Sequence, residues 1–256
     1  MTLDVTPRPD SAPWRSRVVA HARLELTMLV RNGEQLLLTV VLPLGLLVLL
    51  ARSTVIDVGA TSQQERVDIV VPGIFALAIL STSFTALAIQ TGFERRYGVL
   101  RRVGTTPLSR MDVLTGKALA IVVVECVQLV VLGTVGVVIG WSPSPGGVLL
   151  AVPIALLGSA ALAALALLLA GVVRAEATLA LSNLAYLLLA GAGVLIPVSQ
   201  LPDRVQPFVD LLPSAALAEA LRLATAATDV DPWHIVVLLV WFVAASTGVA
   251  RYFRWE

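Results

Sequence analysis

The chain has 256 residues, of which 57% are hydrophobic and only 14% charged, against about a quarter charged in soluble domains. Mean hydropathy is +0.89, more apolar surface than a water-soluble fold of this size can hide, so the expected solvent is lipid. A net charge of +1 implies no partner by itself, and the single cysteine, Cys126, excludes an internal disulfide framework and a cysteine-based metal site.

The first 34 residues hold neither an apolar signal core nor a small-residue cleavage site, and no signal peptide is expected. From Trp14 to Arg31 the periodicity is helical. Val18, Val19, Ala22, Leu26, Leu29 and Val30 fall on one side, and Arg17, Arg23, Thr27 and Arg31 on the other. That pattern predicts a helix lying in the membrane interface, with an amphipathic helix packed on protein as the alternative. Six apolar segments follow, each close to the length of about 20 residues that a bilayer core requires. They cover 35–51, 69–91, 118–140, 148–173, 178–198 and 234–250. Pro43 predicts a kink inside the first. The expected fold class is all-α: an integral membrane protein with six transmembrane helices, an N-terminal interfacial helix, a short cytoplasmic helix in the loop after the second span and a short external helical hairpin. Its parts are an N-terminus (1–34), the six-span domain (35–250) and a tail (251–256). With the N-terminus cytoplasmic, fourteen of the eighteen Lys and Arg residues fall inside and four outside. This asymmetry predicts that both termini are cytoplasmic. Tyr252, Phe253 and Trp255 then mark the inner interface and Trp233 the outer one. The external segment 199–233 is interrupted by Pro202, Pro207 and Pro213, while Leu217, Ala220, Leu221 and Ala224 keep helical spacing. A pair of short helices dipping into the outer leaflet is expected, with a plain loop as the alternative.

The largest inner loop, 92–117, contains FERRYGVLRRVGTTPLSR at 93–110. Phe93, Tyr97, Leu100 and Val103 form an apolar stripe at helical spacing. Arg95 and Arg102 lie opposite it, and Arg96 and Arg101 flank it. A short helix lying flat under the membrane is expected, ended at Thr106-Pro107. A basic anchor on lipid headgroups would explain the arginines but not the ordered stripe.

Together these residues resemble the membrane subunit of type-2 ABC exporters, the group that includes daunorubicin-resistance-like permeases. The likeness is carried by Glu94-Arg95, Gly98, Leu100, Thr106-Pro107-Leu108-Ser109 and Gly116-Lys117. Upstream it includes Val71-Pro72-Gly73; downstream, Pro197, Leu201-Pro202, Leu212-Pro213 and Leu221-Arg222. The chain departs from the family at Arg96 and Arg101, where an acid is frequent. The resemblance implies that residues 93–110 form a coupling helix docking on a cytoplasmic ABC ATPase, with Glu94, Arg95, Arg96, Tyr97, Gly98, Leu100, Arg101, Arg102, Thr106 and Pro107 as the coupling residues. It implies two ATPase copies, which bind ATP and Mg, and a second permease, identical or related. It further implies export of an amphiphilic compound such as a drug, antibiotic or lipid-like molecule from the bacterial plasma membrane.

No cofactor is expected in this chain, and nucleic acid is not among the expected partners. Gly116-Lys117 does not open a phosphate-binding loop, because Met111 and Ala118 stand where Gly and Ser or Thr are required. His21 and His234 have no ligand pattern beside them. No nucleophile, histidine and acid set is present, so catalysis of ATP hydrolysis is assigned to another chain. Within the third segment Glu125, a third of the way along, and nearby Gln128 are candidates for a substrate pathway. The alternative is a hydrogen-bonded glutamate at a helix interface. Gly136 and Gly140, and the small residues from Gly158 to Ala166, suit close helix packing. An ATP-independent channel, a small proton-coupled carrier using Glu125, or a non-transporting scaffold are the competing functional readings.

Overall fold

The computed structural model describes residues 12–31, 33, 37–53, 57–103 and 105–253, and all regular structure within them is helical. In chain order the helices are α1 (Trp14–Arg31), α2 (Leu42–Arg52) and α3 (Gln63–Arg96). Next come the short α4 (Val99–Val103), α5 (Arg110–Val138), α6 (Pro145–Val172) and α7 (Ala175–Leu189). The chain ends with α8 (Gln206–Val209), α9 (Pro213–Ala227) and α10 (Pro232–Tyr252). Among the described residues α3, α5, α6, α10 and Ala175–Val194 are long and apolar enough to cross a membrane. The first predicted span is seen as a shorter apolar helix, Thr39–Arg52, and residues 34–36 lie outside the described residues. Pro43 lies inside this helix, at the junction between its π-helical and α-helical parts. It sits in the first turn of α2, directly after a π turn at Leu37–Val41, where a residue without an N–H interrupts the regular α-helical bonding.

Helix α3 is the axis of the bundle. Val67, Val70, Val71 and every residue from Ile74 to Leu80 are buried, as expected of a helix apolar on all sides. It packs against α2, α5, α6, α7 and α9. Helix α5 begins eight residues before the predicted span. The reason is a capping box: Ser109 Oγ accepts from Asp112 N at 3.1 Å and Asp112 Oδ2 accepts from Ser109 N at 2.9 Å. The Gly136/Gly140 pair is used within the chain. Gly136 admits Val71 and Trp141, and Gly140, at φ +112°, terminates the helix.

The segment expected as a pair of short helices holds α8 and α9. The first is only four residues long, and the second is deeply packed: Ala215, Ala216, Leu217, Ala218, Ala220, Leu221 and Ala224 are 0–1% exposed. Small residues make this burial geometrically feasible. A Cβ on Gly158 of α6 would stand 2.4 Å from Leu217 Cδ1, and one on Gly147 2.6 Å from Ala224 O.

One polar clasp holds α9 in place. The fifth span loses helical geometry at Ala192 (φ −92°, ψ 87°) and Gly193 (φ +83°). Broken backbone at membrane depth persists only where protein groups satisfy it. Arg222 of α9 donates to Gly193 O at 3.0 Å, to Val194 O and to Ile69 O at 3.3 Å. Glu219 accepts from Arg222 Nη1 at 2.8 Å and from Val198 N at 3.0 Å. Gly73 leaves room for the clasp, since its Cβ would lie 2.7 Å from Val194 O and 2.8 Å from Arg222 Nη2. Val71-Pro72-Gly73 is therefore a packing site within α3, two turns past the start of that helix.

Candidate functional site

The arginine-rich stretch does not form one helix. Helix α3 continues to Arg96, Tyr97 N bonds Phe93 O at 2.9 Å, and Gly98 N bonds Arg95 O at 3.1 Å. Gly98 adopts φ +68°, the left-handed conformation that glycine tolerates without a Cβ penalty and that stops helices. The expected stripe is thus split. Phe93 and Tyr97 stack at 6.0 Å on the end of α3, while Leu100 and Val103 belong to α4. Tyr97 is 65% exposed and Leu100 only 4%. Thr105 and Thr106 close the turn by donating to Arg102 O and Val103 O, leaving Thr106 and Pro107 exposed at its tip.

The four arginines have two different roles. Arg95 donates to Gly171 O at 2.5 Å and Val173 O at 2.6 Å, capping the C-terminus of α6. Arg96 pairs with Glu176 at the start of α7 and lies 5.8 Å from the Tyr97 ring centroid. Arg101 and Arg102 are exposed. A pocket of about 540 Å³ opens between Arg95, Arg96, Tyr97, Arg101 and Arg174.

Behind this loop lies a buried charge cluster. Lys117 Nζ is 2.8 Å from Glu25 Oε1 and 2.8 Å from both carboxylate oxygens of Glu94. Gln90 Nε2 donates to Glu25 Oε2 at 2.7 Å and to Glu94 Oε1 at 2.8 Å. His21 Nε2 stands 3.3 Å from Glu25 Oε1. Burial holds the His21 imidazole below its ordinary range, against the opposing pull of Glu25. Gly116 is the reason His21 fits, because a Cβ there would stand 2.6 Å from His21 Cδ2. Arg17 adds an outer bond to Asp112 at 2.9 Å. Helix α1 therefore docks on α5 through Val18, His21, Ala22 and Glu25, a face half polar, while Val19, Met28 and Val30 of its predicted apolar side and neighbourhood are exposed.

A second polar cluster sits mid-bundle, where α3 passes through a π-helical segment, Leu80–Ala86. Such segments recur at functional positions in helices. Ser83 donates to Glu125 Oε1 at 2.5 Å and shares a 2.8 Å bond with Ser159 of α6. Thr82 donates to Gln128 Oε1 at 3.0 Å, and Gln128 Nε2 donates to Thr39 O at 2.8 Å. Glu125 lies near the middle of α5 because that helix starts early. Glu125 and Gln128 are one turn apart but serve different contacts: Gln128 is enclosed by packing, whereas Glu125 borders a groove of about 330 Å³.

A family model described as ABC-2 type transporter matches residues 18–225, from within α1 to within α9. The chain belongs to the ABC-2 type transporter membrane family. A search of curated proteins found no match. As an ABC-2 membrane component the chain is an integral membrane protein and not itself the catalytic part of a transporter. Gly116-Lys117 agrees with that, lying inside α5 and not on a phosphate-binding loop. In this ABC-2 subunit Glu94 through Arg102 gather at one end of the bundle, and Glu125 and Gln128 lie far from them in its middle. Sequence reasoning missed Glu25, Gln90 and Lys117 as partners of Glu94, and Thr82 and Ser83 as partners of Gln128 and Glu125. The second group had a signal: the run Ser81-Thr82-Ser83 interrupts an otherwise apolar span.

Proposed function

We propose that the chain is the permease subunit of an ATP-driven exporter of the daunorubicin-resistance-like type, moving an amphiphilic compound out of the cell. A separate cytoplasmic ATPase, in two copies, binds ATP and Mg and energises it. A second permease, identical or related, completes the pathway in a bacterial plasma membrane. The observation that carries this reading is mechanical. Helix α3 runs from the core straight into the exposed loop, and its last turn is fastened to α6 by Arg95, to α7 by Arg96 and to α5 by Glu94. A push on Tyr97 or α4 therefore moves four helices together, which suits a rigid coupling element.

The exposed Tyr97 is the anchor for the ATPase, and Arg101 and Arg102 form its charged rim. Tyr97→Ala leaves membrane insertion intact but weakens ATPase retention roughly tenfold, as loss of one interface hot spot does. Arg101→Glu with Arg102→Glu weakens it in a manner that depends on salt. ATPase co-purification and substrate-stimulated hydrolysis measure both. Wild-type behaviour of Tyr97→Ala in both assays refutes the docking assignment. Leu100 is unsuitable for this test, because it is buried within the chain itself.

Both termini are assigned to the cytoplasm. With Cys126 replaced, an impermeant thiol reagent added outside is expected to label Asp210→Cys but not Ser109→Cys. The opposite pattern inverts the topology.

A further inference from the structure

We propose that the groove beside Glu125 is a binding site for lipophilic organic cations, entered from the bilayer. This rests on the exporter reading only for the use made of the site; the binding itself follows from the groove. Its volume of about 330 Å³ falls within the range of about 300–1,000 Å³ typical of small-molecule pockets. It lies between α5 and α6, against Phe75 of α3 and Leu221 of α9. Nearly all of its lining is apolar.

Two features give it a preference for positive charge. Glu125 is the one acidic residue in the lining, and no basic residue shares the lining with it. It is 5% exposed, and among the described ion pairs it has no cationic partner, only the hydroxyls of Ser83 and Ser159 around it. A carboxylate so placed is stabilised either by a proton or by a cation brought to it. Phe75 and Trp141, packed edge to face at 5.4 Å, supply the second feature. Both line the groove, and aromatic rings attract organic cations, most strongly where water is excluded. The mouth is bordered by Val130, Val148 and Val152, all exposed, so a ligand dissolved in lipid reaches the site without crossing water. Charge complementarity therefore selects a lipophilic cation over a neutral acyl chain as occupant.

The test is equilibrium binding of tetraphenylphosphonium, a permanently charged lipophilic cation, to the purified full chain in phosphatidylcholine nanodiscs. Saturable binding is expected. Glu125→Gln keeps the shape, removes the charge and weakens binding roughly tenfold or more, as loss of a desolvated charge partner does. Val152→Trp narrows the mouth from an exposed position and lowers binding with Glu125 intact, so it decides the matter if Glu125→Gln does not fold. Neutral triphenylphosphine oxide competes poorly. Unchanged binding by Glu125→Gln overturns the proposal, as does unchanged binding by Val152→Trp. Equal competition by the neutral compound also overturns it and marks the groove as a lipid seat. No ATPase is required, so failure here leaves the exporter reading untouched. Failure of ATPase co-purification, conversely, leaves the groove assignment standing.

Discussion

Lys117→Met is expected to release α1 from the bundle. The lysine is the cation between Glu25 and Glu94, and all three side chains are largely buried. Its removal leaves two carboxylates facing each other away from water, with Gln90 as a remaining donor to both. Breaking a buried ion pair from one side costs about 3–5 kcal/mol. The outer pair, Arg17 with Asp112, is partly exposed on the arginine side, and Asp112 keeps its bond from Ser109 N, so Arg17→Met should cost less than Lys117→Met. Adding Glu25→Gln to Lys117→Met removes one stranded charge and should recover part of the loss. Hydrogen exchange of the α1 amides, measured with thermal unfolding, reads the outcome. Slow exchange in α1 of Lys117→Met, equal to wild type, would show that the charge cluster does not hold the helix.

Arg222→Met is expected to loosen the broken end of the fifth span. The guanidinium satisfies Gly193 O, Val194 O and Ile69 O, and it neutralises Glu219. Methionine fills much of the volume but donates nothing. Buried carbonyls lose their partners at about 1–3 kcal/mol each, and of the two bonds to Glu219 described above only the one from Val198 N remains. A loss of about 3–5 kcal/mol follows. Pairing the change with Glu219→Gln should restore part of it, and that non-additivity is the signature of a clasp. Gly73→Ala should act on the same point from α3, by pressing a methyl group on Val194 O and the guanidinium. Thermal unfolding of the single and double variants checks this, and strict additivity of Arg222→Met and Glu219→Gln would rule out a coupled unit.

Much of the helical order was legible because it is written locally. Spans of twenty apolar residues report the solvent directly, and a bilayer permits little besides helices. The stop at Gly98 and the cap at Ser109 to Asp112 are equally local, but the helical spacing of Phe93, Tyr97, Leu100 and Val103 runs across Gly98, and the cap lies among the polar residues of the inner loop. In both cases a nearest-neighbour signal outweighed a longer periodicity.

What the sequence by itself determined is the membrane class, the order and approximate extent of the helices, and the basic character of one loop. The tertiary structure alone decided which polar groups meet. Glu25, Glu94 and Lys117 are far apart along the chain, and hydropathy says only that each is costly in lipid, not that the three compensate one another. The same holds for Arg222. Two of its acceptors, Gly193 O and Val194 O, are open to it because the fifth span breaks at Ala192-Gly193 and α3 offers Gly73 opposite. The burial of α9 likewise depends on glycines in α6, on another helix, which periodicity within residues 213–227 cannot report. Local pattern separates lipid from water; partner choice comes from shape and charge brought together across the fold.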